Sequence, residues 1–143
     1  RLLRLKNGFR NPLMGICLLA VFLSGCAGML TPPAEIDAGK VNTIIKTNRG
    51  NPDLIILDVR SPREYSEGHI QGALNIPVES ASFRGKVDRL DRNKTYILYC
   101  RSGNRGSSAR AVMLEMGFFR TANMTGGFLE WQRARFRIVK DDE

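Results

Sequence analysis

Residues 95–106 of the chain read TYILYCRSGNRG. Its first five residues are apolar or β-favouring and predict a buried strand. The strand stops at Cys100, which is followed by a short loop with two arginines and two glycines, and residues 107–115 then predict a helix. Backbone N–H groups at such a junction favour an anion, and a thiolate is an anion. The pattern therefore indicates that Cys100 is a nucleophile.

Strand and helix signals alternate on both sides of this stretch. Residues 53–60 contain a continuous apolar run, typical of a strand that is buried on both faces of a parallel sheet. Ser61, Pro62 and Glu64 form a capping-box pattern and predict the start of a short helix. Further predictions are helices at 35–47, 81–90 and 128–133, a short strand within 68–77, and a strand at 118–124. The alternation predicts one α/β domain with a mostly parallel sheet, in which ligands bind at the carboxyl ends of the strands.

The composition suits a single globular domain but not a nucleic-acid-binding protein. The chain has 143 residues, enough for one hydrophobic core, and a formal charge of +8. Four of its positive charges, on Arg1, Arg4, Lys6 and Arg10, precede any acidic residue. No compact basic run with interleaved aromatic residues occurs elsewhere, so no binding to nucleic acid is expected.

The N-terminal region has the pattern of a bacterial lipoprotein signal. The basic residues 1–10 precede an apolar run at 13–23, which is short for a bilayer span of about 20 residues. The run ends in LSGCA at residues 23–27, which resembles the lipobox of bacterial lipoproteins. An ordinary signal peptide and an uncleaved N-terminal anchor are the alternatives.

This resemblance implies a signal peptide at residues 1–25, cleavage before Cys26, lipid on Cys26 and a tether at 26–34. Several acyl chains anchor a protein stably, whereas one chain is marginal. Ala27 after the cysteine resembles the sorting pattern for the outer membrane of bacteria with two membranes. The expected location is the cell envelope, with the domain at the periplasmic face of the outer membrane.

The three cysteines have different expected fates. Cys17 would leave with the signal peptide and Cys26 would be blocked by lipid, so Cys100 would be the one free thiol of the mature chain. A structural disulfide is then excluded. A buried core cysteine is the alternative reading of Cys100, but its polar, glycine-containing surroundings favour a functional one.

Five motifs along the chain resemble, in order and spacing, those of the rhodanese family. They are DVR at 58–60, REY at 63–65 with GHI at 68–70, GA at 72–73 with NIP at 75–77, CRSGNR at 100–105, and TGG at 125–127 followed by Trp131. The resemblance implies a single rhodanese-like domain at residues 35–137, with helices on both faces of the central sheet, and an acidic tail at 138–143.

The function that the resemblance implies is sulfur transfer. Cys100 would take a sulfane sulfur from a donor such as thiosulfate, hold it as a persulfide and pass it to a thiophilic acceptor such as cyanide or a thiol. No cofactor and no metal are implied. A membrane-tethered persulfide carrier, or a binding module with little turnover of its own, is the alternative, and no protein partner can be named.

The resemblance also assigns residue roles. Backbone amides of the loop would hold the outer sulfur, and the substrate-binding residues would be Arg101, Ser102, Gly103, Asn104, Arg105 and Gly106. Arg101 and Arg105 suit an anionic donor because guanidinium matches oxyanions. An ion pair between Arg105 and a carboxylate such as Glu64 is an equal alternative for Arg105. Residues expected to support the site structurally are Asp58, Arg60, Glu64, Gly126 and Gly127.

Two residues near these motifs are expected to be structural. His69, the only histidine of the chain, is predicted at a turn on the rim of the sheet rather than as a general base. Trp131 is predicted in the core rather than as a substrate platform.

The loop separates sulfur chemistry from phosphate chemistry. Phosphatases of the cell-cycle type and arsenate reductases on this fold carry five residues between cysteine and arginine, whereas four separate Cys100 from Arg105. The smaller ring suits a sulfur atom better than a tetrahedral oxyanion. One departure from the family pattern is Gly106, where serine or threonine is usual; Ser107 is the expected substitute for that hydroxyl.

Overall fold

The computed structural model describes residues 32–140. In chain order the elements are β1 (Glu35–Ile36), α1 (Ala38–Thr47), β2 (Leu54–Asp58), α2 (Pro62–Ser66), β3 (Leu74–Asn75), α3 (Phe83–Asp88), β4 (Thr95–Tyr99), α4 (Asn104–Glu115), β5 (Thr121–Met124) and α5 (Gly127–Arg133). The predicted signal peptide, the lipidated Cys26 and most of the tether lie outside the described residues. No helix within residues 32–140 is long and apolar enough to cross a membrane.

The five strands form one parallel sheet in the order β1-β5-β4-β2-β3. Side chains along a strand point alternately to the two faces of the sheet. Ile97 and Tyr99 of β4 therefore pack in the cluster that includes Val41 of α1 and Trp131 of α5. Leu98 and Cys100 pack in the opposite cluster, formed with Phe83 and Val87 of α3 and Ala109 and Met113 of α4. The predicted α/β fold, with a parallel sheet and helices on both faces, is confirmed.

The N-terminal part of the domain differs from the prediction. Residues 35–47 were expected to form one helix, but they begin with β1, which pairs with β5 at the edge of the sheet. Helix α1 starts only after Asp37, whose carboxylate accepts a hydrogen bond from the Lys40 N–H (2.8 Å). A two-residue strand is too short to show a period, so the helical stripe was extended over it.

Other element bounds also shift. Helix α3 is shorter than the predicted 81–90, and α4 begins at Asn104 rather than at Ser107. Strand β5 occupies only residues 121–124 of the predicted 118–124, because the Phe118 ring is buried beneath α4 instead of extending the strand. Backbone pairing continues into the predicted tail, where Val139 exchanges two hydrogen bonds with His69 (2.9 and 3.0 Å).

Candidate active site

Cys100 lies directly after β4, at the carboxyl edge of the sheet, and is only 1% exposed. The next residues turn back on the cysteine, so that the N–H of Gly103 donates a hydrogen bond to its Sγ (3.1 Å). The turn needs a glycine, because Gly103 has a φ of +109° and faces the backbone of Gly126. The loop therefore places at least one backbone donor on the sulfur.

Helix α4 starts immediately behind that donor. The first N–H groups of a helix have no partner inside the helix and carry a partial positive charge. In α4 these include the N–H groups of Asn104, Arg105 and Gly106, which directly follow the Gly103 N-cap. Together with the Gly103 N–H they form the kind of concave donor surface that binds anions. The predicted anion site at Cys100 thus has a physical basis in the backbone.

The residues at and just after the turn at 125–127 contact the backbone of this loop. The N–H groups of Phe128 and Leu129 donate to the carbonyls of Cys100 (2.7 Å) and Arg101 (3.0 Å). A Cβ on Gly127, whose φ is +57°, would lie 2.5 Å from the Cys100 carbonyl oxygen. Gly127 is therefore needed for close backbone approach as well as for the turn. The glycines that were predicted to support the site lie against it.

Arg105 forms a bidentate ion pair with Glu64. Its Nη1 and Nη2 donate to the two carboxylate oxygens at 2.8 and 2.7 Å, and both side chains are about one-quarter exposed. The same carboxylate accepts from the N–H and hydroxyl of Ser61 in the capping box of α2. Of the two alternatives for Arg105, the structure has the ion pair. Arg101 is the exposed guanidinium of the loop, and it lines a cavity of about 270 Å³ next to it.

The hydrogen bonds from Arg105 lower the pKa of Glu64 to about 2, from its usual 4.5. A carboxylate with a depressed pKa contributes stability that is complete above the unfolded-state value and is lost as the pH falls toward the folded-state value. We expect Glu64→Gln to lower the free energy of unfolding at pH 7 by about 2 kcal/mol, allowing for partial exposure. Urea unfolding at a series of pH values should show this difference shrinking between about pH 4.5 and about pH 2.

Glu67 offers a matched control for this measurement, since its ion pair with Arg63 is exposed on the same helix. Glu67→Gln should change stability by less than about 1 kcal/mol at every pH. A deficit of Glu64→Gln that stayed constant from pH 7 to pH 2 would show that the carboxylate charge does not contribute.

Asp58 and Arg60 form a buried ion pair at the end of β2. The two residues are 0% and 3% exposed, and Nη2 of Arg60 lies 2.6 Å from Oδ2 of Asp58. The guanidinium also donates to the Gly68 carbonyl (2.8 Å) and lies over the Phe128 ring, 4.1 Å from its centroid. Burial, followed by the nearby Asp58 charge, raises the pKa of Tyr99 beside this pair. The pair thus joins β2 to the 68–70 turn and to α5.

His69 and Trp131 are in structural positions. The His69 ring stacks on Tyr65 with centroids 3.7 Å apart, and its Nδ1 lies 3.0 Å from the Tyr65 carbonyl oxygen. Trp131 is 2% exposed, and its Nε1 donates to the Arg137 carbonyl (3.0 Å). Both arrangements agree with the structural reading of these residues.

Asn123 is a site residue that sequence reasoning missed. It lies on β5 and is 1% exposed, and its Nδ2 donates to the carbonyl of Gly103 in the cysteine loop (3.1 Å). Asparagine is depleted in strands, so an Asn within the predicted strand at 118–124 was the available sequence signal. The contact itself joins residues 20 positions apart and has no local signature.

The structure has a parallel α/β sheet with a cysteine at the carboxyl end of its central strand, and comparison with known proteins identifies the family. The family model of the Rhodanese-like domain matches residues 42–134. A putative mitochondrial thiosulfate sulfurtransferase of Schizosaccharomyces pombe is 31% identical over 106 residues, which cover 66% of this chain and 75% of the relative. Thiosulfate sulfurtransferase PspE of Escherichia coli is 36% identical over 70 residues, covering 49% of this chain and 67% of its own. A crystal structure of a rhodanese-related protein from Thermoplasma volcanium has a TM-score of 0.64 at 29% identity, covering 75% of this chain and 98% of that one. The chain belongs to the rhodanese-like domain family.

Proposed function

We propose that this protein is a sulfurtransferase that carries sulfane sulfur as a persulfide on Cys100. The observation that carries the proposal is the N–H of Gly103 on Sγ of Cys100, at the N-terminus of α4. The sulfurtransferase relatives support the same chemistry. The proposed donor is a small anion such as thiosulfate, and the proposed acceptor is cyanide or a thiol.

The reaction has two displacement steps. The Cys100 thiolate attacks the sulfane sulfur of thiosulfate, the new S–S bond forms as the old one breaks, and sulfite leaves with the electron pair. Cyanide then attacks the outer sulfur of the persulfide, thiocyanate leaves, and the Cys100 thiolate is restored. In the reaction of thiosulfate with cyanide the nucleophiles and leaving groups are all anions, so no proton transfer is needed. A thiol acceptor would react as its thiolate. The structural position of His69 fits such a mechanism.

The loop residues have distinct parts in these steps. The first N–H groups of α4 stabilise the thiolate before transfer and the outer sulfur of the persulfide after it. Arg101 is the exposed loop cation and suits the oxyanion end of the donor. Arg105 shapes the loop through Glu64 rather than binding the donor. The four residues between Cys100 and Arg105 favour sulfur over phosphate as the bound group.

We further propose that the protein is a lipoprotein of the bacterial cell envelope, at the periplasmic face of the outer membrane, held through Cys26. The LSGCA sequence at residues 23–27 supports this location. Under this proposal the domain works on solutes of an oxidising compartment, where a lone thiol such as Cys100 is retained because it is used.

Intact-protein mass spectrometry of the full chain, purified from membranes in detergent, tests both proposals. After incubation with thiosulfate the protein should gain one sulfur atom, which a reductant removes. The Cys100→Ala variant should gain none, although Cys26 is still present. The same spectra should show acyl chains on Cys26, and these should be absent from Cys26→Ser.

Other outcomes would favour the alternatives. A persulfide that forms but is not consumed by cyanide or thiols would indicate a carrier that needs a protein acceptor. A wild-type chain that gains no sulfur from several donors would indicate a binding module. Release of phosphate from an aryl phosphate without a sulfur adduct would indicate a phosphatase.

A further inference from the structure

The buried side chain of Asn123 is hydrogen-bonded at Nδ2 but not at Oδ1. Its Nδ2 shares two protons among three acceptors within hydrogen-bond distance: Gly103 O (3.1 Å), Oε2 of Glu35 (2.9 Å) and Oγ of Ser107 (3.1 Å). Its Oδ1 is buried and has no donor in the described part of the chain. A buried polar atom without a partner lowers stability. An apolar side chain of similar size would avoid this cost but would also lose every hydrogen bond of Nδ2, so the groups that Nδ2 contacts indicate what the amide does.

One group that Asn123 contacts is the carbonyl of Gly103. This oxygen accepts from the Ser107 N–H (3.0 Å) as well as from Asn123. The two donors fix the direction of the peptide group that joins Gly103 to Asn104. Because a trans peptide is planar, its N–H points opposite to its carbonyl and therefore away from the body of α4. The preceding N–H, that of Gly103, is the donor on Sγ itself.

Glu35 fixes the amide in turn. Its Oε1 accepts from the Ser107 hydroxyl (2.9 Å) while its Oε2 accepts from Asn123. Glu35 belongs to the edge strand β1, which precedes the family-matched residues 42–134. The start of the domain therefore contacts α4 directly through Ser107 and also binds Asn123 on β5.

Gly106 makes room for this arrangement. A Cβ at position 106 would collide with Oδ1 of Asn123, so any side chain there would displace the amide. The glycine that departs from the expected hydroxyl residue thus permits a different support for the loop, formed by an amide from β5 and the hydroxyl of Ser107.

We propose that Asn123 is a positioning residue for the sulfur-binding loop of Cys100. Glu35 holds its amide by a hydrogen bond, and the absence of a side chain at Gly106 leaves room for it. Asn123 touches neither the donor nor the sulfur and acts by orienting the backbone donors at the start of α4. The proposal rests on the proposed sulfur transfer for its kinetic consequences, but not for its effect on the reactivity of Cys100.

The test compares the full-length wild type with Asn123→Leu, which keeps the branched shape of the side chain and removes the unpaired Oδ1. We expect kcat/KM for thiocyanate formation to fall about tenfold, as for the loss of one buried hydrogen bond that matters in the transition state. The melting temperature should change by only a few degrees, because the cost of the unpaired oxygen is also removed. The pH dependence of Cys100 alkylation by iodoacetamide should shift to higher pH, since the thiolate has lost an aligned donor.

Four further variants test the same proposal. Gly106→Ala should reproduce the kinetic loss despite the better helix propensity of alanine, and the double variant Gly106→Ala/Asn123→Ala should be no slower than Gly106→Ala alone. Glu35→Ala should show a smaller loss of the same kind. Glu115→Ala, which removes another exposed carboxylate, should leave the rate unchanged.

The proposal is overturned if Asn123→Leu keeps the wild-type rate and alkylation profile, or if rate and melting temperature fall together while the alkylation profile stays unchanged. A wild type that forms no persulfide would contradict the proposed function alone. In that case the alkylation profile of Asn123→Leu still decides whether Asn123 positions the loop.

Discussion

Replacing Cys100 with serine should abolish sulfur transfer, lowering the rate of thiocyanate formation from thiosulfate and cyanide by about 10⁴-fold or more, as is typical when a nucleophile is removed. A serine hydroxyl is protonated at neutral pH and cannot form the persulfide. The change is nearly isosteric at a site that is 1% exposed, so the fold should be retained. Steady-state assays with matched melting curves measure both effects.

This substitution leaves the backbone donors of the loop intact, so it measures the contribution of the thiol alone. Cys26→Ser is the matched control: the same chemical change at the cysteine of the predicted lipobox should leave turnover of the detergent-solubilised protein unaltered. Residual activity of Cys100→Ser above a few per cent, with normal melting, would mean that another group carries the sulfur.

Local signals account for the parts of the site that the sequence predicts well. The strand, cysteine and helix at residues 95–115 follow one another directly, and the capping box of α2 lies within four residues. Such patterns are readable because propensity, capping and packing act on neighbouring residues and agree. Gly127 was predicted only as a structural support of the site, because its close approach to the Cys100 carbonyl depends on how the start of α5 packs against the loop after β4.

Contacts between distant segments account for what the sequence leaves open. Arg105 had two equal readings because its partner, Glu64, lies 41 residues away and on another helix. The support of the loop by Asn123 and Glu35 joins residues 88 positions apart, across an edge strand of two residues. Charge and hydrogen-bonding capacity are visible in a sequence, but the choice among possible partners is made by the fold.

The second large effect is expected on the free energy of unfolding, from the buried ion pair between Asp58 and Arg60. Asp58→Ala should lower the free energy of unfolding by about 3–5 kcal/mol, because it leaves the Arg60 guanidinium buried without its counter-charge. For a domain of this size such a loss lowers the melting temperature by roughly 15–25 °C. Urea and thermal unfolding at pH 7 measure both quantities.

Asp88 provides the matched control, because it also pairs with an arginine, Arg92, at 2.7 Å, but with both side chains largely exposed. Asp88→Ala should cost less than about 1 kcal/mol, since water screens an exposed pair and solvates the remaining charge.

Replacing both buried partners, as in Asp58→Val/Arg60→Met, should recover at least half of the loss, because the main penalty of Asp58→Ala is the unpaired buried cation. If Asp58→Ala were no more costly than Asp88→Ala, burial of the guanidinium would not be what makes this pair important. If the double variant were as unstable as Asp58→Ala, the stabilisation would come instead from the bonds of Arg60 to the Gly68 carbonyl and the Phe128 ring.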